Sequence, residues 1–194
     1  PFGRIILAIL GAFAQWYVDN LVQEVRKGQR QRAAAGYHSV RPPIGYTTAQ
    51  AIRKMLEFDS DLTEAQIAAL EDTLEASRHL PDNVALICPI TSPGVIKLFE
   101  LYATGRYSRP ALAKWLNEHG YPFRGYRGKS IWTANNVEAA IGNQFYVGIT
   151  RYNDETHQGI HKPLIEQDLF DQCQREKDRR ITERNYTRRD RRPY

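Results

Sequence analysis

The chain has 194 residues, of which 42% are hydrophobic, with three Trp, eleven Tyr and seven Phe, enough for a real core in one large domain or a small domain with appendages. Two lone cysteines, Cys88 and Cys173, exclude a disulfide framework or a thiolate zinc site and fit a reducing intracellular setting. The net charge of +5 hides segregation: residues 1–23 sum to 0, 24–46 to +4, 47–96 to −5, 97–132 to +5, 133–174 to −4 and 175–194 to +5. Alternating blocks of this kind suggest separate polyanion-facing elements, the bland alternative being solvated helix faces.

Ile5, Ile6, Leu7, Ile9, Leu10, Phe13, Trp16, Tyr17, Leu21 and Val25 recur at three- and four-residue steps, which predicts a helix with a broad apolar stripe from about Phe2 to Ala35. At 1.5 Å per residue it is a rod of roughly 50 Å. Its apolar part, residues 5–14, is shorter than the ~20 residues that cross a bilayer and lacks a signal-peptide cleavage site, so no membrane is expected. The rod turns basic with Arg26, Lys27, Arg30 and Arg32, and Gly36 is placed to end it. Arg41-Pro42-Pro43 must be extended, since proline restricts itself and its predecessor, and Arg41-Pro42-Pro43-Ile44-Gly45-Tyr46 reads as an arm suited to a groove. The sequence opens in mid-helix without an initiator Met, as expected of a fragment lacking its N-terminal part.

Residues 47–82 read as a separate acidic helical insert, with a helix start at Thr63-Glu64-Ala65-Gln66 and a stripe of Ile67, Leu70 and Leu74. Residues 83–90 read as one short strand. Three punctuated helices follow: one capped by Ser92 with Pro93 at its first position, one capped by Ser108, and one capped by Thr133. They bury Val95, Ile96, Phe99 and Tyr102, then Leu112, Trp115 and Leu116, then Val137, Ala140 and Ile141; Gly105, Gly120 and Gly142 stop them. Residues 121–132, carrying Arg124, Arg127 and Lys129, read as a wing-like loop before the third helix. The expected fold class is mainly α with a small β element: a long N-terminal helix, then a helix-turn-helix-like (winged-helix-like) DNA-binding domain. Residues 145–152 read as a strand, 153–159 as a turn and 161–165 as the returning strand. A last helix from about Glu166 holds Leu169, Phe170 and Cys173 inward and becomes Arg-rich past Arg175.

No Ser, His and Asp/Glu set stands in a nucleophile context and no glycine loop could cradle a phosphate, so no catalysis and no cofactor are expected. His157 and His161 lie near Asp154 and Glu155, but in turn-like surroundings with Gly159 between them, and no metal is expected there. His38, His79 and His119 have no visible partners. Trp115 and Trp132 are assigned to the core. The positive signal is DNA binding, through Arg26, Lys27, Arg30, Arg32, Arg41, Arg106, Arg109, Arg124, Arg127 and Lys129. The third helix, with Thr133, Asn135, Asn136 and Glu138 opposite its apolar face, is the expected recognition helix: Asn can read adenine with paired bonds and Glu can accept from cytosine.

These residues resemble a known family. PFGRIILAILGAFAQWYVDNLVQEVRKG looks like the long helix that follows the catalytic domain in serine recombinases, and RPPIGY like the arm after it. VIKLFELYATGRYSRPALAKWLNEHGY, residues 132–137, NQFYVG and HKPLIEQDLFDQCQ resemble the recombinase domain of large serine integrases and transposases. The likeness spans nearly the whole chain except 47–82. One departure is Gln144, where the family usually has proline, which should loosen that turn without removing the fold.

The resemblance implies residues 1–36 as a long interdomain or dimerisation helix, 37–46 as a basic extended arm, 47–174 as the recombinase DNA-binding domain around the insert 47–82, and 175–194 as a basic helix end or linker. It implies a catalytic serine domain upstream of Pro1 and a zinc ribbon beyond Tyr194, so the full enzyme would exchange DNA strands and this piece alone would be inactive. The implied partners are a double-stranded recombination site and further copies of the chain, a dimer and then a tetramer at full length, in the cytoplasm of a prokaryote or phage host, on the nucleoid. A stand-alone helix-turn-helix regulator, or a scaffold without a DNA role, stays open from the residues alone.

Overall fold

The computed structural model describes residues 2–38, 41–123 and 131–190, with side chains described as far as 183. Helix α1 spans Phe2–Ala34. Gly36 ends it at φ +81°, Gly36 N donating to Ala33 O and Tyr37 N to Arg32 O, both at 2.9 Å, the paired closure that a left-handed residue after a helix permits. No larger residue fits there, because an added Cβ would stand 2.7 Å from Gln158 O. Only Ala33 of α1 is buried, and Phe2 to Val25 present their large apolar side chains to solvent. The apolar character does not stop at Ala14: Trp16, Tyr17, Val18, Leu21 and Val22 carry it past Asp19, and an 18-residue window reaches a mean hydropathy of 1.6. By length and composition α1 therefore meets the requirement for crossing a bilayer, which corrects the length argument drawn from residues 5–14.

The arm is anchored rather than free. Tyr46–Thr47 forms β1 and pairs antiparallel with β2, Leu86–Ile87. Tyr46 is buried, its hydroxyl donating to Lys162 O at 2.9 Å. The strand expected over 83–90 shrinks to two residues, since Val84 N closes a turn on Pro81 O and Cys88 N donates to Gly45 O. The acidic segment is two helices, α2 (Ala49–Phe58) and α3 (Glu64–Ala76). Thr48 caps the first, and Thr63 with Gln66 forms a reciprocal capping box on the second. They enclose a small core of their own from Ala49, Ile52, Met55, Leu70, Val84 and Leu86.

The main core gathers α4 (Ser92–Ala103), α5 (Arg109–Glu118), α6 (Ala134–Ile141) and α7 (Gln167–Asp190) around Val95, Leu98, Phe99, Leu112, Leu116, Trp132, Val137, Ile141, Phe170 and Cys173. The chain is thus mainly helical with two small two-stranded sheets. The cap of α4 is Thr91, one residue before the expected Ser92, and it makes no side-chain cap. Its hydroxyl instead accepts from Gly45 N at 3.2 Å, joining the arm to the domain. Of the wing-like loop expected over 121–132, residues 124–130, with Arg124, Arg127 and Lys129, lie outside the described residues, and Trp132 at its end is buried in the core.

Residues 145–152 are not one strand. Gln144–Val147 is a 3₁₀ turn, closed by Asn143 Oδ1 accepting from Phe145 N, and β3 begins only at Ile149. Phe145 and Tyr146 are both buried, which successive residues of a strand facing one core cannot achieve. The returning strand is β4 (Glu155–Gln158), paired with β3 (Ile149–Tyr152) through a two-residue turn at Asn153-Asp154. Residues 161–165 instead clip the 3₁₀ turn, Leu164 N and Ile165 N both donating to Tyr146 O. This hairpin seats the C-terminal half of α1: Arg30 is ion-paired with Glu155, Tyr152 Oη donates to Gln29 Oε1 at 3.2 Å, and Ile160 N donates to Gly36 O at 3.0 Å.

His161 is a core residue. Its ring stacks on Phe145 with centroids 3.7 Å apart and planes 5° from parallel, and Nε2 donates to Phe145 O at 2.7 Å. A Cβ on Gly159 would meet that ring at 2.4 Å, so this glycine makes room for it. Among the described residues no three His, Cys, Asp or Glu side chains are grouped to hold a metal ion.

Gly36→Ala is expected to destabilise the fold by ~1–3 kcal/mol, measured by urea unfolding, because the new methyl meets backbone at a left-handed position. Burial holds the pKa of His161 below 6.5, against the pull of its backbone hydrogen bond; burial, then Arg32 and His161, lower that of His38. Unfolding lets both take up protons below that value, so their contribution is present above pH 6.5 and is lost as pH falls beneath it. The urea midpoint should fall from about pH 7 to about pH 5, and His161→Phe should flatten part of the fall; a parent profile flat over this range would refute the account.

Candidate nucleic-acid interface

The third helix of the sequence reading is α6, and its first turn is fixed by its own side chains. Thr133 Oγ1 accepts from Asn136 N at 3.2 Å, while Asn136 Oδ1 accepts from Thr133 N at 3.1 Å and from Thr133 Oγ1 at 2.6 Å. Both lone pairs of that carbonyl oxygen are thereby used. Paired reading of adenine needs the same oxygen as an acceptor, so Thr133 and Asn136 are committed to the cap rather than held ready for a base. Asn135, Glu138 and Ala139 are exposed, opposite the buried Val137, Ala140 and Ile141.

Two clefts flank this face, and Glu138 lines both. The larger, about 560 Å³, lies between the arm, the end of α6 and β3, and brings Arg41 and Arg151 to Glu138 and Ala139. Arg41 is exposed, and Arg151 donates through Nε to Asn153 O at 3.0 Å and makes a loose pair with Asp154 at 3.4 Å. The smaller, about 290 Å³, lies between α5, α6 and α7 and brings together Ser108, Arg109, Glu138, Lys177 and Arg180. Ser108 caps α5 by accepting from Ala111 N, and Arg109, the first residue of that helix, is ion-paired with Glu138.

Arg180 differs from the other cations. It donates to Tyr107 O and Gly105 O, both at 2.8 Å, and through Nε to Glu176, and it lies over the Tyr102 ring at 5.0 Å. Hydrogen bonds from Arg179 and Arg180 hold the Glu176 carboxyl down at about 2. This cluster fastens α7 to the turn between α4 and α5.

The cations expected to bind DNA therefore separate into groups. Arg26, Lys27 and Arg32 stand exposed on α1, whereas Arg30 there is engaged by Glu155. Arg106 is exposed in the turn before α5, and Arg109 is tied to α6. Arg124, Arg127 and Lys129 lie outside the described residues. Arg151 and Lys177 were missed. Arg151 sits in a strand read only for its apolar alternation, and Lys177 in a basic run read as a helix end; nothing local marks either as a neighbour of α6.

Residues 89–180 match the family model described as "Recombinase". No curated protein matches the chain. Among solved structures it is similar to "Crystal Structure of a LSR-DNA Complex", with 18% identity and a TM-score of 0.53 over 79% of this chain and 38% of that one. It is similar in the same degree to the structure in "Sequence Requirements of the Listeria innocua prophage attP site", again with 18% identity, a TM-score of 0.53 and 79% of this chain, and with 50% of that one. The chain thus spans half or less of the length of these two neighbours, and at this identity the likeness is one of fold. The likeness to the recombinase family model is therefore a likeness of the segment 89–180, somewhat under half of the chain.

Proposed function

We propose that this chain is the DNA-binding portion of a site-specific serine recombinase and seats the enzyme on its recombination half-site. The observation that carries the reading is the α6 face: polar, exposed, and flanked by cations drawn from four separate parts of the chain, Arg41, Arg109, Arg151 and Lys177. Duplex DNA is the polyanion that such a ridge fits, with α6 entering a major groove and the flanking cations meeting phosphates on either side. Arg26, Lys27 and Arg32 extend the same chemistry along α1, and Arg41-Pro42-Pro43 follows the groove between them. The exposed apolar half of α1 meets a further copy of the chain or the catalytic portion of the full enzyme, and the protein acts inside the cell on nucleoid DNA. A stand-alone regulator would use the same face; the recombinase-domain match over 89–180 favours the first reading.

Binding to duplex DNA, followed by fluorescence anisotropy, should weaken steeply with salt, with a slope near −0.9 per neutralised phosphate. Binding that ignores salt, or no binding, would sink the proposal. Arg41→Ala should weaken binding to all sequences alike and flatten the slope by about 1. Asn136→Ala should leave sequence preference unchanged while costing about 0.5–2 kcal/mol of stability in urea unfolding, as loss of a helix cap does. A changed base preference in that variant would restore Asn136 as a reader.

A further inference from the structure

Glu138 is an anion on the face offered to a polyanion, and alone it would oppose binding. It is not alone. Arg109 reaches across from the first turn of α5 and is ion-paired through Nη1 to Glu138 Oε2, with 36% of the Arg109 side chain and 53% of the Glu138 side chain still exposed. The pair is neutral, is held between two packed helices, and keeps Arg109 Nη2 and Nε and Glu138 Oε1 free of any hydrogen bond or ion pair recorded among the described residues. Its backbone is fixed at both ends, by the Ser108 cap with Pro110 behind it on α5 and by the Thr133–Asn136 box on α6.

A guanidinium beside a carboxylate offers donors next to an acceptor. The major-groove edge of a G·C pair offers the complement: N7 and O6 accept on guanine and the N4 amine donates on cytosine. An A·T edge runs acceptor, donor, acceptor and adds the thymine methyl group, so two neighbouring guanidinium donors followed by a carboxylate match it only in part.

We propose that Arg109 and Glu138 read one G·C base pair jointly, Arg109 donating to guanine and Glu138 accepting from the cytosine amine. The proposal rests on the DNA-binding reading and adds a base identity to it. It also moves Arg109 from the phosphate contacts to the base contacts, and makes the ion pair a device that orients both side chains before DNA arrives. Ordering the fork in advance lowers the entropy lost on binding.

The test is selection by the whole chain from a pool of randomised duplexes of about 30 base pairs, followed by affinity measurements on the selected duplex and its single-base-pair variants. The parent should fix G·C at one position, preferring it to other pairs by roughly 5- to 150-fold, the range of a good paired contact. Arg109→Ala and Glu138→Gln should each relax that position alone, and the double variant should lose no more discrimination than the worse single one. Arg109→Lys should relax it too while retaining affinity for duplexes in general, because lysine keeps the charge and loses the fork. A uniform loss across all sequences in Arg109→Ala, with Glu138→Gln keeping every preference, would make Arg109 a phosphate contact and overturn the inference while leaving the DNA-binding reading intact. A parent that binds DNA without fixing such a G·C position overturns it as well. A parent that binds no duplex overturns both. Circular dichroism melting of each variant separates lost reading from lost folding, and the exposed pair should leave the melt unchanged.

Discussion

The arrangement of this molecule depends on one aromatic cluster. Tyr46 meets Phe145 edge-on at 5.0 Å and His161 edge-on at 5.4 Å, and stacks near Tyr146 at 6.0 Å, while Phe145 and His161 lie face to face. Three stretches of chain far apart in sequence are joined there: the arm, the 3₁₀ turn after α6, and the segment before α7. Two hydroxyls complete the joint, Tyr46 donating to Lys162 O and Tyr146 to Ile44 O. Aromatic edges and faces attract with specific geometry, so the cluster fixes direction as well as proximity. Because it holds residues 44–46, Arg41 a few residues earlier is delivered to the α6 face.

The same economy governs α1. Its basic half is seated by the β3–β4 hairpin, through Arg30 and Glu155 and through Tyr152, and its apolar half projects without a partner among the described residues. A helix of 33 residues exposing this much apolar surface is what the proposed contact with a further copy or the catalytic portion would cover. The seat also shows that a cation in a basic run need not face a ligand. Arg30 is occupied by an acid 125 residues away, while among the described residues no ion pair engages Arg26, Lys27 or Arg32. Arg180 makes the same point on α7, where every side-chain nitrogen serves the fold.

Much of the architecture was legible in the residues because its causes are local. The extent of α1, the caps at Ser108 and Thr133, the capping box at Thr63 and the core faces of α5 and α6 follow from spacing and cap chemistry within a few residues. The misplacements share a different cause. Thr91, at the cap position of α4, makes no side-chain cap because its hydroxyl accepts from Gly45 N, and the strand expected from Phe145 becomes a 3₁₀ turn because two adjacent aromatics must both be buried. Each is a contact with a distant segment overriding a local preference, which periodicity does not record.

The sequence by itself determined the helices, the capped ends of α3, α5 and α6, the segregation of charge and the presence of a polar face on α6, since each needs only a residue and its near neighbours. The tertiary structure decided which side chains on that face are at liberty. It committed Asn136 to a cap, paired Glu138 with Arg109, drew Arg41, Arg151 and Lys177 around α6, and gave Arg30 to Glu155. A hydrogen-bonding group can be spent only once, and its partner is chosen by what folding brings within about 3 Å.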